Sequence, residues 1–172
     1  MNKNIESILK KNNQGIKLDI GCGENKQSGF VGLDYRKLAG VDVVQNVEEF
    51  PWSLPDECVS LAVASHLVEH INPAGGVFLN FMDEVWRIMK VGGEFMMALP
   101  YGGSPGFWQD PTHCNGCNET TWEYFDPEAP HSQGMLYNIY KPKPWKIKHN
   151  IWSATGNMEV VLIKREEKKD AK

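Results

Sequence analysis

Two glycines and two carboxylates stand first among the residues able to do chemistry. Asp19-Ile20-Gly21-Cys22-Gly23 puts an acid near the end of a short branched apolar run, followed by two residues without a Cβ where a ligand must approach the backbone closely. Eleven residues after Gly23 comes Asp34, closing Gly32-Leu33-Asp34 and followed by Tyr35. A carboxylate there can accept both hydroxyls of an adenosine ribose. A dinucleotide fold places this acid ~20 residues beyond the glycines and adds a third glycine for packing against a pyrophosphate, so the spacing suits a nucleoside.

Histidines form the second group. His66-Leu67-Val68-Glu69-His70 matches the H-x-x-E-H pattern of inverted zinc peptidases, in which two imidazoles on one helical face hold zinc and the glutamate activates water. That arrangement needs a helix, yet Pro73 closes the segment and an apolar strand precedes it, so His66 is expected to face a ligand cleft and His70 to cap or pack. In Gln109-Asp110-Pro111-Thr112-His113, a carboxylate beside an imidazole can fix its tautomer and raise its basicity. Asp110 and His113 are therefore the catalytic candidates; the alternative is a histidine that pins its loop by hydrogen bonds. His113-Cys114-Asn115-Gly116-Cys117 contains a C-x-x-C knuckle without a second pair, because Cys22 and Cys58 lie in other elements. Packed thiols and no metal are the expectation.

The elements that must position these groups are legible from periodicity. Strands are expected at 16–20, 30–34, 41–44 and 59–64, the last continuous in small and branched apolar residues as in a strand covered on both faces. Only residues 21–29 separate the first two, so the first crossover helix must be short or absent. Phe78, Phe81, Met82, Val85 and Met89 recur at helical spacing over 77–90, Gly92-Gly93 reads as the stop, and 94–99 returns as a strand. Trp145, Ile147, His149 and Ile151 alternate, and a turn at 153–157 leads into 158–164, giving an antiparallel hairpin. The fold class is α/β: a Rossmann-like, mostly parallel sheet with that hairpin at its C-terminal side, in a single domain over 1–172 with a charged tail at 165–172. Residues 100–144, rich in Pro, Gly, aromatics and His, form a substrate-side insertion or lid. Within it a helix over 119–125, opened by a capping box at Thr120 and Glu123, would carry Trp122, Tyr124 and Phe125 as a wall.

From about Lys17 to Pro100 the chain resembles the class I S-adenosylmethionine-dependent methyltransferases, in particular small members of the type 11 group. The resemblance implies that the turn of Gly21, Cys22 and Gly23 wraps the methionine part of the cofactor, and that Asp34 holds the ribose. It also puts Asn46 and Val47 beside the adenine, with Asn where an acid is more usual, and Ser65 and His66 near the methyl group. Val91-Gly92-Gly93-Glu94 is similar to the helix end before that family's fifth strand, and Asp-Pro-Thr-His followed by an aromatic helix and Asp126-Pro127 also resembles small relatives. The implied activity is methyl transfer from S-adenosylmethionine to a small-molecule or sugar acceptor, a hydroxyl acceptor needing a base. Ser65-His66-Leu67-Val68 lacks the Asn/Asp-Pro-Pro-Tyr of DNA amino-methyltransferases, so no DNA acceptor is expected. The competing readings are the zinc peptidase, a non-catalytic cofactor-binding module that supports a partner, and an aminopropyl transferase on the same fold, the last disfavoured by the lack of an acidic polyamine channel.

Bulk properties fit one globular domain with no membrane insertion. An apolar fraction of 41% with 23% charged residues is ordinary for a globular domain, and no apolar run reaches the ~20 residues that span a bilayer. A net charge of −4 argues against broad binding to a phosphate backbone, and the crowded Lys141, Lys143, Lys146 and Lys148 read as a solvated strand face. With no secretory leader in the polar first residues, a cytoplasmic location and reduced thiols are expected.

Overall fold

The computed structural model describes residues 3–129 and 135–167. An amphipathic helix α1 (Lys3–Lys11) buries Ile5 and leads into four parallel strands, β1 (Ile16–Ile20), β2 (Val31–Asp34), β3 (Val43–Val44) and β4 (Val59–Ser65). Helix α2 (Val77–Ile88) and strand β5 (Met89–Pro100) follow. The insertion contributes three short helices, α3 (Pro105–Trp108), α4 (Glu119–Glu123) and α5 (Met135–Tyr140), before the hairpin of β6 (Trp145–Trp152) and β7 (Asn157–Lys164). Strand order is β3-β2-β1-β4-β5-β7-β6, with β7 antiparallel to both β5 and β6. The Rossmann-like sheet, its C-terminal hairpin and the missing first crossover helix are as the sequence suggests. None of the described helices is long and apolar enough to cross a membrane.

The core lies on one face of the sheet. Ile16, Leu18, Ile20, Leu33, Ala62, Phe95, Leu99, Val160 and Leu162 are fully buried beneath Phe78, Phe81, Met82 and Val85 of α2. The expectation that the strand at 59–64 is covered on both faces holds only in part, since Val63 on the second face is buried but the face is open around it. Its second-face residue Leu61 is only half-buried, and in register with it and its neighbours Lys17, Met96, Glu159 and Lys146 are exposed. Towards β1 and β2 that face carries the loop 21–29 instead of a helix, closed by Gln27 N donating to Asp19 Oδ2 (2.8 Å) and by Lys26 paired to Asp42 (2.7 Å).

Four local expectations are corrected. Gly92-Gly93 does not stop α2; the helix ends at Ile88 because Met89 turns extended (ψ 145°) and pairs with Val59. The glycines instead make an irregularity within β5, where the register jumps from Val59↔Met89 to Leu61↔Glu94 and a Cβ on Gly93 would lie 2.9 Å from the Lys90 carbonyl. The capping box is Asn118 with Thr121, not Thr120 with Glu123, since the Asn118 carboxamide accepts from the N–H groups of both Thr120 and Thr121. The third strand is reduced to Val43–Val44, the two residues that reach β2. In β6 a register shift between Ile147 and His149 breaks the expected alternation, so Trp145 and Ile147 face the core while His149 lies opposite half-buried Val161.

The lysines crowded near 141–148 are dispersed. Lys143 pairs with Glu167 and lies over the Trp86 ring, and Lys148 pairs with Glu94. Arg165, the first residue of the expected tail, is held by Asp126 (3.0 Å), Glu128 (2.8 Å) and the Trp145 carbonyl; residues 168–172 lie outside the described residues.

Candidate functional site

In an open parallel sheet a ligand binds outside the carboxyl ends of the strands, where the strand order reverses. Here that point lies between β1 and β4, and both ends carry the residues singled out above. Gly21 (φ +71°) and Gly23 (φ +53°) occupy the left-handed region, and a Cβ on Gly21 would sit 2.9 Å from Leu67 Cδ1. The glycine turn is thus pressed against the segment that follows β4. It is anchored from below by Gly21 N and Cys22 N, both donating to the Leu33 carbonyl (2.8 and 3.2 Å).

Asp34 faces this turn. Its Oδ2 accepts from Gly23 N (2.9 Å) and its Oδ1 from Arg36 N (2.9 Å), while the Arg36 guanidinium spans both oxygens. Burial alone would push the carboxyl up; the bonds from the Arg36 side chain and backbone and from Gly23 N, with the guanidinium charge, outweigh it and leave Asp34 below the usual carboxylate range. Asp19 behaves oppositely, since burial raises it against the Gln27 N–H and the charge of Lys26. Cys22 is buried above Gly32, where any Cβ would lie 2.8 Å from its sulfur.

The other candidates on this side are more scattered. Tyr35 is 68% exposed, beside Arg36. Val47 packs against the core, whereas the exposed Asn46 is engaged within its own turn, accepting from Glu48 N (3.1 Å) and donating to Glu49 (3.1 Å). Ser65 ends β4 exposed, and His66 follows in a left-handed conformation (φ +51°) that costs a non-glycine residue ~1 kcal/mol or more.

The helix required by the zinc-peptidase reading does not form. Val68–His70 is a single tight turn with His66 outside it, so the two imidazoles share no helical face. Glu69 is fully buried; its Oε1 meets His66 Nδ1 (3.2 Å) and its Oε2 has no hydrogen-bond partner among the described residues. The insertion is stitched onto this turn. Cys114 N and Asn115 N donate to the Glu69 carbonyl (2.9 and 3.0 Å), Asn115 Nδ2 to the Val68 carbonyl (3.1 Å) and Cys114 Sγ to the His70 carbonyl (3.4 Å).

These bonds carry His113 to the mouth of the sheet. Its Nδ1 donates to the Phe107 carbonyl (2.7 Å), leaving the lone pair on Nε2. Asp110 does not fix that tautomer. Its Oδ1 accepts from the Thr112 N–H (2.8 Å) and hydroxyl (2.7 Å), which hold it below the usual range, and its Oδ2 stays 3.7 Å from His113 Nε2. Among the described residues, no converging group of three His, Cys, Asp or Glu ligands includes Cys114 or Cys117. Burial pushes the Cys117 thiol up to about 12, with the charge of Glu69 adding to it.

Two cavities meet at His113. One of about 480 Å³ is lined by Tyr101, Phe107, Trp108, Cys114 and Asn118, and one of about 380 Å³ by His66, Glu69, His70, Asp110 and Asn157. The expected aromatic wall is elsewhere: Trp122 and Phe125 are fully buried edge-on against Phe78 of α2, and belong to the core. Tyr101, Phe107 and Trp108 line the space instead. Their only sequence signal was membership of an irregular segment rich in aromatics.

No family model and no curated protein matches the chain. Solved structures do. A SAM-dependent methyltransferase from Archaeoglobus fulgidus superposes with a TM-score of 0.58 at 16% identity, over 93% of this chain and 94% of that one. One from Methanosarcina mazei gives 0.54 at 16% identity, over 89% and 94%. The Haloferax volcanii putative methyltransferase, solved with the Trm112 methyltransferase activator, gives 0.55 at 14% identity, over 88% and 84%. At such identities the likeness establishes the fold, and this chain has the fold of the class I SAM-dependent methyltransferases.

Proposed function

We propose that the protein binds S-adenosylmethionine at the β1–β4 switch point and transfers its methyl group to a small-molecule or sugar hydroxyl. The observation that carries this is the contact between Gly23 N and Asp34 at 2.9 Å, which brings a bare backbone bend and a ribose-type carboxylate together at the strand ends. Gly21, Cys22, Gly23 and Asp19 would form the methionine side, Asp34 and Tyr35 the ribose side, Asn46 and Val47 the adenine edge, and Ser65 and His66 the methyl end. The sulfonium supplies a methyl group for in-line transfer; the chain's part is to align the acceptor and keep water away.

The acceptor belongs in the cavities around His113, whose volumes suit a modest ligand. In the ion-free protein, His113 Nε2 is the group placed to take the hydroxyl proton, with Asp110 near enough to favour the imidazolium formed. A net charge of −4 speaks against a nucleic-acid acceptor.

Isothermal titration tests the donor assignment. S-adenosylmethionine and S-adenosylhomocysteine are expected to bind the wild type and to lose at least ~100-fold in affinity to Asp34→Ala, which removes a charge-assisted acceptor of two hydroxyls. Selective binding of a nicotinamide dinucleotide, or donor binding indifferent to Asp34→Ala, would overturn it.

A further inference from the structure

We propose that Glu69, His70 and His113 form a binding site for a borderline divalent ion of the zinc type. One ligating atom from each lies within 4.8 Å of the others, the one grouping of three such ligands found among the described residues. Around a tetrahedral ion with bonds of ~2.1 Å the donors sit ~3.4 Å apart, so the three groups must close on the ion by up to rather more than an ångström.

Three features set this cluster apart from an accidental one. The first is Glu69, a completely buried carboxylate with one oxygen, Oε2, lacking a hydrogen-bond partner among the described residues while the residue lines the 380 Å³ cavity. A buried carboxylate oxygen left without a partner is costly, and a cation removes that cost. The second is tautomer control. His113 donates its Nδ1 proton to the Phe107 carbonyl; His70 Nδ1 meets Thr112 Oγ1 at 3.1 Å, and that hydroxyl spends its single proton on Asp110, so the imidazole must be the donor. Both rings therefore keep their lone pair on Nε2, each locked by an outer partner, the pattern that orients metal-binding histidines. The third is rigidity, since four hydrogen bonds fasten the loop around His113 to the turn holding Glu69 and His70.

Two imidazoles and a carboxylate suit zinc, cobalt or nickel and leave coordination positions open to the cavity for water or an oxygen ligand. The arrangement differs from the peptidase motif: Glu69 is a ligand, His66 is its hydrogen-bond partner, and the second histidine comes from the insertion. The site does not depend on the methyl-donor assignment. An ion would take the Nε2 lone pair of His113, so the proton-accepting role above belongs to the ion-free protein.

Calorimetric titration of chelator-stripped full-length protein with Zn²⁺, Co²⁺ and Mg²⁺ tests this without any assay of turnover. One equivalent of Zn²⁺ or Co²⁺ is expected to bind, Mg²⁺ is not, because it demands an oxygen shell, and the Co²⁺ complex should show ligand-field bands without thiolate charge transfer. His70→Ala, at an exposed position, and the isosteric Glu69→Gln should each weaken binding by ~100-fold or more; Thr112→Val should cost ~10–100-fold, and Cys114→Ser nothing. Absent stoichiometric binding, a thiolate band, or affinity surviving His70→Ala would overturn the site. Should Glu69→Gln fail to fold, His70→Ala decides alone.

Discussion

The two sides of the strand-end cleft are built on opposite principles. The proposed donor side is made by the backbone: a ten-residue loop, two left-handed glycines and a carboxylate that reaches only eleven positions back along the chain. The proposed acceptor side is made by side chains brought from residues 66–70 and 101–118, joined through contacts across more than forty positions. A backbone-built site is fixed as soon as β1 and β2 pair, whereas a site built from distant side chains exists only when the insertion is packed in place. The insertion is accordingly no detachable lid. Asp126 accepts from Ile147 N (2.8 Å) and Arg165, the Ser104 hydroxyl bonds the Gly156 carbonyl, and Tyr101 stacks on Trp152 at 4.5 Å.

The strongest way to break this contrast is to hollow out the insertion. Trp122→Ala removes a fully buried indole from against Phe78 and is expected to destabilise the whole domain by about 3–5 kcal/mol in a single urea transition. A separately folding lid would instead give a biphasic transition with the main midpoint unmoved. A smaller effect is expected where the donor side is touched. Gly21→Ala forces a Cβ to 2.9 Å from Leu67 at a positive φ, which should cost about 1–3 kcal/mol and weaken S-adenosylmethionine binding in titration. A loss below about 0.5 kcal/mol with donor affinity intact would show that the turn is not held by backbone geometry.

This contrast also explains what could be read from the residues alone. Asp19, Gly21, Gly23 and Asp34 announce themselves because their roles follow from residue type and short spacing, and the parallel strands follow from continuous apolar runs. Three features escape that kind of reading. Whether Gly92-Gly93 ends a helix or kinks a strand depends on β4 lying beside it at Ser60, a tertiary fact. Trp122 and Phe125 have the composition of a cavity wall, and only the position of α2 makes them core. Glu69 looks like the centre of a peptidase motif until a single tight turn replaces the helix; its true neighbour, His113, is forty-four residues away.

The finest test lies within the donor side, in two acids of opposite behaviour. Asp34 is held below its ordinary range in the folded chain, so its ionisation stabilises the fold above about pH 4, and that contribution disappears as pH falls through the lower folded value. Asp19 is raised by burial, so the native state retains its proton longer than the unfolded chain does, and stability contributed by that group falls as pH rises through the interval above about pH 4. Asp34→Asn should thus destabilise the protein at neutral pH and converge with the wild type in acid. Asp19→Asn, which keeps an oxygen for the Gln27 N–H, should be neutral or slightly stabilising at neutral pH. Urea midpoints measured from pH 3 to 7 for both variants check the signs. Parallel curves would mean that Arg36 does not hold Asp34 in solution, and a donor ribose would then meet a carboxylate already free instead of one it must take from a guanidinium.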